Sequence, residues 1–297
     1  MRVLLALFAA LLLVGASANA TIMWGASAPG WGTGSPDIYQ VDTGTGQVVT
    51  GSKWSYSGYN WIMGMCDGGS YLYATADLDS DQGQMLVHKI DKSSGAILTS
   101  TNVAGLLGTD YSHINALEYY DGKLYGVENC TWDETYRGNI IEMTLDASGD
   151  VTAATAGAYV GLAPDGALDI WGGTAYASTW KSGGDPGESW IATLGVADLG
   201  DSGKNFDRTL YTTPASGLMD GWQMYQGNLI SVSWQNTGLY QIDPTTGNTT
   251  TLFSSITGLT CGHSPAGLDR VIPEPGTYLL LGLGLGSLVL IRRRRKA

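Results

Sequence analysis

The apolar and polar positions between residues 22 and 270 fall into a pattern that recurs four times. "MCDGGSYLYATAD" at Met65, "YYDGKLYGVEN" at Tyr119, "IWGGTAYASTW" at Ile170 and "MYQGNLISVSW" at Met224 each run an apolar pair into a glycine turn and then a short alternating strand. Alternation with a period of two puts successive side chains on opposite faces of a strand. Tyr73, Tyr125, Tyr176 and Ile230 hold equivalent places in the four units, at steps of 52, 51 and 54 residues. A second element lies between them: "DIYQVDTGTGQVVT" at Asp37, "MLVHKIDKSSGAILTS" at Met85, "IIEMTLDASGDVTAA" at Ile140 and "GLYQIDPTTGNTTTL" at Gly238. Each joins two alternating strands through a turn of Asp, Gly, Ser and Thr, which predicts a hairpin with a polar tip. "WIATLGVADLGDSGKNFDRTLYTT" at Trp190 fills the same slot with a longer turn.

Each unit thus supplies four antiparallel strands, and a repeat near fifty residues resembles the blades of a β-propeller. The two ends of the region complete one another. Residues 21 to 50 contain a second strand, "TIMWGAS", and an outer hairpin but no inner strand, whereas "ITGLTCGHSPAGLDR" resembles an inner strand alone. Joined, they form a fifth blade by three-plus-one strand sharing, which removes exposed sheet edges. The predicted fold class is all-β: a β-propeller of five four-stranded blades with its termini closing one blade, plus a short C-terminal transmembrane helix. A β-sandwich or β-helix is the all-β alternative.

Composition sharpens this picture. Charged residues make up only 14% of the chain, with 43 glycines, which suits a folded β-rich protein and argues against disorder. With Arg2, the five C-terminal cations and Glu274 set aside, nine basic residues face 26 acidic ones, a net charge of −17 for residues 21 to 272. Such a body repels nucleic acid, so nucleic-acid binding is excluded. Cys66, Cys130 and Cys261 show no zinc spacing. The inner-strand register sets Cys66 and Cys261 at opposite ends of neighbouring strands, which disfavours a bridge between them.

The two ends of the chain are of another kind. "MRVLLALFAALLLVGASANA" has a basic Arg2, an apolar core from Val3 to Val14 and small residues before Thr21, and predicts a signal peptide over 1–20. Residues 21–270 form the ectodomain and 271–297 a separate tail. That tail runs Pro273-Glu274-Pro275, then a glycine-punctuated apolar stretch over 277–291, then Arg292, Arg293, Arg294, Arg295 and Lys296. The stretch from Tyr278 to Ile291 spans about 21 Å as a helix, short of a hydrocarbon core of about 30 Å. The cations behind it hold the C-terminus in the cytoplasm.

This order and spacing resemble the PEP-CTERM sorting signal of exported bacterial proteins. The resemblance implies export and recognition by an exosortase, a membrane-embedded enzyme thought to cleave near the motif. It also implies a Gram-negative host that makes extracellular polysaccharide. By this likeness Pro273, Glu274 and Pro275 are the recognition residues and Arg292 to Arg295 the retention tail. The implied partners are the exosortase, the secretion machinery and the membrane. The implied destination, after transient inner-membrane anchoring, is the outer surface or the extracellular matrix.

Candidate chemistry gathers in the loops. The second-to-third-strand connections hold Trp31, Trp132, Trp180 and Trp234, and an inter-blade connection holds Trp54, all near Asp, Asn or Glu. Aromatic rings stack on sugar faces while carboxylates and amides bond hydroxyls, so these residues predict a surface for polysaccharide or for a surface protein. The same tryptophans also suit gaps between blades. Asp77, Asp79 and Asp81 alternate before Gly83 like a calcium loop, although the glycine comes one place late and His88 stands at the twelfth position. A solvated acidic loop is the other reading. His113, Asp220 and His263 begin inner strands near the channel, where an acid/base pair of a glycan lyase or hydrolase is conceivable, but structural roles fit them as well. The chain reads more as a binding or structural coat protein than as an enzyme.

Overall fold

The computed structural model describes residues 22–29, 35–59, 61–77, 85–108, 113–129, 138–161, 164–180, 188–212, 219–233, 238–258 and 263–270. They form a five-bladed propeller. Blade I comprises β1 (Ile22–Pro29), β2 (Asp37–Asp42) and two short outer pieces, β3 (Gln47–Val48) and β4 (Trp54–Ser55). Its inner strand, β21 (His263–Arg270), comes from the far end of the chain, giving the order β21-β1-β2-β3 with β4 also on β2. Blade II is β5 (Trp61–Asp67), β6 (Tyr71–Asp77), β7 (Met85–Asp91) and β8 (Ile97–Asn102). Blade III is β9 (His113–Tyr120), β10 (Lys123–Asn129), β11 (Gly138–Leu145) and β12 (Val151–Gly161). Blade IV is β13 (Pro164–Trp171), β14 (Thr174–Trp180), β15 (Glu188–Gly195) and β16 (Asp207–Thr212). Blade V is β17 (Met219–Tyr225), β18 (Asn228–Ser233), β19 (Leu239–Ile242) and β20 (Thr249–Phe253).

The repeat positions read from the sequence are equivalent in space. Tyr73, Tyr125, Tyr176 and Ile230 sit on the second strands, opposite Cys66, Glu118, Asp169 and Gln223 of the inner strands. Three inner hairpins close through two residues at positive φ: Asp121-Gly122 (49° and 81°), Gly172-Gly173 (59° and 83°) and Gln226-Gly227 (52° and 82°). That backbone twist matches the twist of the flanking strands, which selects glycine in the second place.

Because side chains alternate along each strand, every blade has two apolar faces, and the core lies in the seams between blades. Each of the five seams holds its own cluster, for example Trp24, Ile38, Ile62 and Leu72 between blades I and II, and Met23, Val41, Val232 and Leu239 between blades V and I. The ring is therefore closed by hydrophobic contact as well as by the β21–β1 ladder. Two short helices interrupt the strands: α1 (Val103–Leu107), capped by the Asn102 side chain, and a 3-10 turn over Val196–Asp198. Among the described residues no helix is long and apolar enough to cross a membrane. The apolar stretch 277–291 lies outside them, as do Pro273 to Pro275 and Arg292 to Arg295.

Candidate functional site

Antiparallel order gives the propeller two unlike ends. At one, which we term the turn end, inner and second strands join through the tight turns, and third and fourth strands through the Asp-Gly hairpins. At the other, the loop end, lie the connections from second to third strands and from blade to blade.

Several polar groups of the turn end are used internally. Asp42, Asp91, Asp146 and Asp243 each end or follow a third strand and accept a backbone N–H two residues on: Gly44 at 2.7 Å, Ser93 at 2.9 Å, Ser148 at 2.9 Å and Thr245 at 2.8 Å. These bonds hold the charged carboxylate, so Asp91, bonded first by the Ser93 and Ser94 hydroxyls, is pulled down to about 2. Asp146 and Asp243 are lowered for the same reason, chiefly by the amides of Asp150 and Thr245. Four of the 27 acidic side chains of the sequence are therefore turn caps.

In blades I, II and III the glycine that completes the turn also docks it on the preceding blade. Gly46, Gly95 and Gly149 all have positive φ, and a Cβ there would strike the Phe253 ring at 2.5 Å, the Trp54 ring, and the Tyr73 hydroxyl at 2.8 Å, respectively. Trp54 accordingly sits in the seam between blades I and II, half-buried and stacked on Trp24 with ring centroids 5.3 Å apart. The hairpin of blade IV has no such glycine. Its longer turn instead pairs with β12, through Ala158 N–H to Leu199 O at 2.9 Å and Phe206 N–H to Tyr159 O at 3.0 Å.

A buried charge network joins the same seam as Trp54. Lys92 Nζ donates to both Asp67 oxygens, at 2.9 and 2.8 Å, while Trp24 Nε1 donates to Oδ2 at 3.1 Å and Gly69 N–H to Oδ1 at 2.8 Å. Around the axis, Asp169 of blade IV accepts Met224 N–H at 2.6 Å and Gln223 Nε2 at 3.2 Å from blade V. His88 is buried, its Nδ1 2.8 Å from Ser100 Oγ and its ring edge-on to Tyr59 at 4.8 Å. Desolvation pushes its imidazole down to about 4.

The loop end gathers most of the predicted site positions. β6 ends on Asp77 and β14 on Trp180, β9 starts on His113 and β21 on His263, and Asp220 is second in β17. Pairing sets Asn129 opposite His113 and Pro29 opposite His263, so these backbone positions share one rim. Trp31, Asp79, Asp81, Trp132 and Trp234 belong to connections at this end and lie outside the described residues, as do Cys130 and Cys261. Among the described residues no group of three or more His, Cys, Asp or Glu could hold a metal ion.

The axis itself is narrow, a feature that strand alternation alone did not predict. Every inner hairpin slips register close to the loop end, between Ile62 and Met65, opposite Asn115, between Pro164 and Leu168, at Gly221 and opposite Ala26/Ser27. A Cβ on Gly64 would lie 2.8 Å from the Ala116 carbonyl carbon, so β5 rests directly on the backbone of β9. Across the ring β13 comes within 8 Å of both β5 and β21, Cα to Cα.

Residues 271–296, directly after β21, match the model of the PEP-CTERM protein-sorting motif. The chain carries a PEP-CTERM sorting signal. The signal implies export, a membrane-associated C-terminal segment and processing by an exosortase. Comparison with curated proteins finds no match. Among solved structures the fold is widespread, with 317 matching chains, so architecture alone assigns no activity. One is a chain in the crystal structure of a nidogen/laminin complex, at 10% identity over 84% of this chain and 99% of that one, with a TM-score of 0.52. Others are the PQQ-bound aldose sugar dehydrogenase of Streptomyces coelicolor (14% identity, 77% and 80% covered, TM-score 0.49) and the glutaminyl cyclase of Myxococcus xanthus (12% identity, 71% and 70% covered, TM-score 0.43).

Proposed function

We propose that this PEP-CTERM protein is a non-catalytic binding propeller displayed at the cell surface or in the extracellular matrix, where its loop end takes polysaccharide or a surface protein. The observation that carries this reading is the contrast between the two ends. The turn-end carboxylates of Asp42, Asp91, Asp146 and Asp243 cap their own turns, and across the axis β13 comes within 8 Å of β5 and β21, Cα to Cα. The loop end instead collects the long connections, with Trp31, Trp132, Trp180 and Trp234 among Asp, Asn and Glu. Apolar area beside a few placed polar groups is what a sugar-binding surface requires.

Retention of the purified protein on exopolysaccharide from the producing cells tests it. Binding is expected to saturate, and W132A/W180A to weaken it at least about tenfold, the equivalent of about 1.4 kcal/mol. Trp54 packs between blades, so W54A serves as a comparison that lowers stability and leaves retention unchanged. Equal retention by the wild type and the double variant would remove the loop end from consideration.

A further inference from the structure

The two termini of the propeller leave it side by side. β1 and β21 are antiparallel neighbours with Met23 opposite Arg270, and Ile22 faces Asp42 across the next ladder. Paired Cα atoms lie about 5 Å apart. The chain therefore enters β1 and leaves β21 at the turn end, next to the axis. The sorting motif starts at residue 271, immediately after the last residue of β21. Six residues, 271 to 276, separate the folded sheet from the apolar stretch that begins at Thr277.

Lengths decide what this tether permits. Six extended residues reach about 20 Å. An eight-residue strand such as β21 makes the propeller about 25 Å thick, and three strand spacings from axis to rim add about 14 Å. For the loop end to face the bilayer, the tether must cross a blade and climb its full height, about twice its length. The acidic turns do not adhere to anionic lipid, so orientation comes from the tether alone.

We propose that the turn end is the membrane-facing end of the protein: the sorting signal holds it against the lipid headgroup layer during export, with the loop end directed away. The exosortase meets Pro273 to Pro275 at this same end, three to five residues beyond a folded inner strand. The segment read as a signal peptide ends at Ala20, two residues before β1, so it leaves from the same end. This inference rests on the sorting signal and not on what the loop end binds, so the two fail separately.

Energy transfer from the full-length chain in phosphatidylcholine vesicles to a headgroup acceptor dye tests the proposal. Donors are placed by S70C, an exposed turn-end residue, or by S182C in the connection after β14, with C130S and C261S in both and Cys66 buried. The two ends of the propeller are about 25 Å apart, so transfer from position 70 is expected to exceed that from 182 at least about threefold. Twenty Gly/Ser residues inserted after Arg270 should bring the two within about twofold, because a flexible linker of that length spans about 25 Å. Equal transfer at native tether length, or stronger transfer from 182, overturns the proposal. A second measurement does not depend on the cysteine replacements. An epitope inserted between Thr245 and Thr246 should bind its antibody fragment only in the chain with the lengthened tether, and one between Gln235 and Asn236 in both chains. The reverse pattern, or full access at Thr245 with the native tether, overturns the proposal.

Discussion

Gly95 shows how one residue serves two purposes in this fold. Its positive φ of 72° completes the Asp91 turn, and its missing side chain leaves room for the Trp54 ring of the preceding blade. Gly51 has a similar φ of 80° with nothing within 4 Å of its would-be Cβ. G51A should therefore lose about 1 kcal/mol from backbone strain alone, whereas G95A should lose about 3 kcal/mol because overpacking adds to it. Urea midpoints at constant m-value measure both; equal losses would refute the docking role. His88 offers a second residue-scale outcome. Its imidazole is pushed down to about 4, so the unfolded chain binds the proton first as pH falls. Stability from this group is complete above pH 6.5 and declines between 6.5 and 4, by up to about 3 kcal/mol. H88Q should flatten stability across that window, and an unchanged slope would reject the assignment. Neither role was legible beforehand. His88 entered the sequence reading only as a failed calcium position, and nothing in "DKSSG" reveals what lies beneath its glycine.

At the scale of elements, strand identity was legible and strand irregularity was not. The repeated runs that contain Tyr73, Tyr125, Tyr176 and Ile230 mapped onto inner and second strands because period two and glycine turns are local signals. The slip beside Gly64 brings β5 onto the backbone of β9 in the next blade, which no local pattern encodes. The outer strand of blade I was expected to be continuous through "QVVT". It is divided into β3 and β4, and Ser52 Oγ fills the interruption by accepting Gln40 N–H at 3.1 Å and donating to Val49 O at 2.7 Å. The Asp67–Lys92 pair was likewise invisible, since its partners Trp24 and Gly69 come from two blades. Removing the carboxylate strands a buried ammonium, so D67A should cost about 3–5 kcal/mol. A loss below about 1 kcal/mol in thermal or urea unfolding would show that the network does not tie blade I to blade II.

At the scale of the whole molecule, the incomplete units at the two ends of the repeat predicted the closing blade, and β21 paired with β1 fulfils it. The same closure brings Arg270, the residue directly before the PEP-CTERM signal, to the turn end beside the axis. The candidate loop-end site was legible only as composition, because its aromatic residues lie in connections whose spacing follows no repeat. The central claim is that a folded propeller is exported and then released from its C-terminal signal. Intact mass and C-terminal sequencing of the protein recovered from the native surface test it most directly. A terminus near residue 275 is the predicted result, and a chain that still ends at Ala297 in the mature surface protein would contradict it.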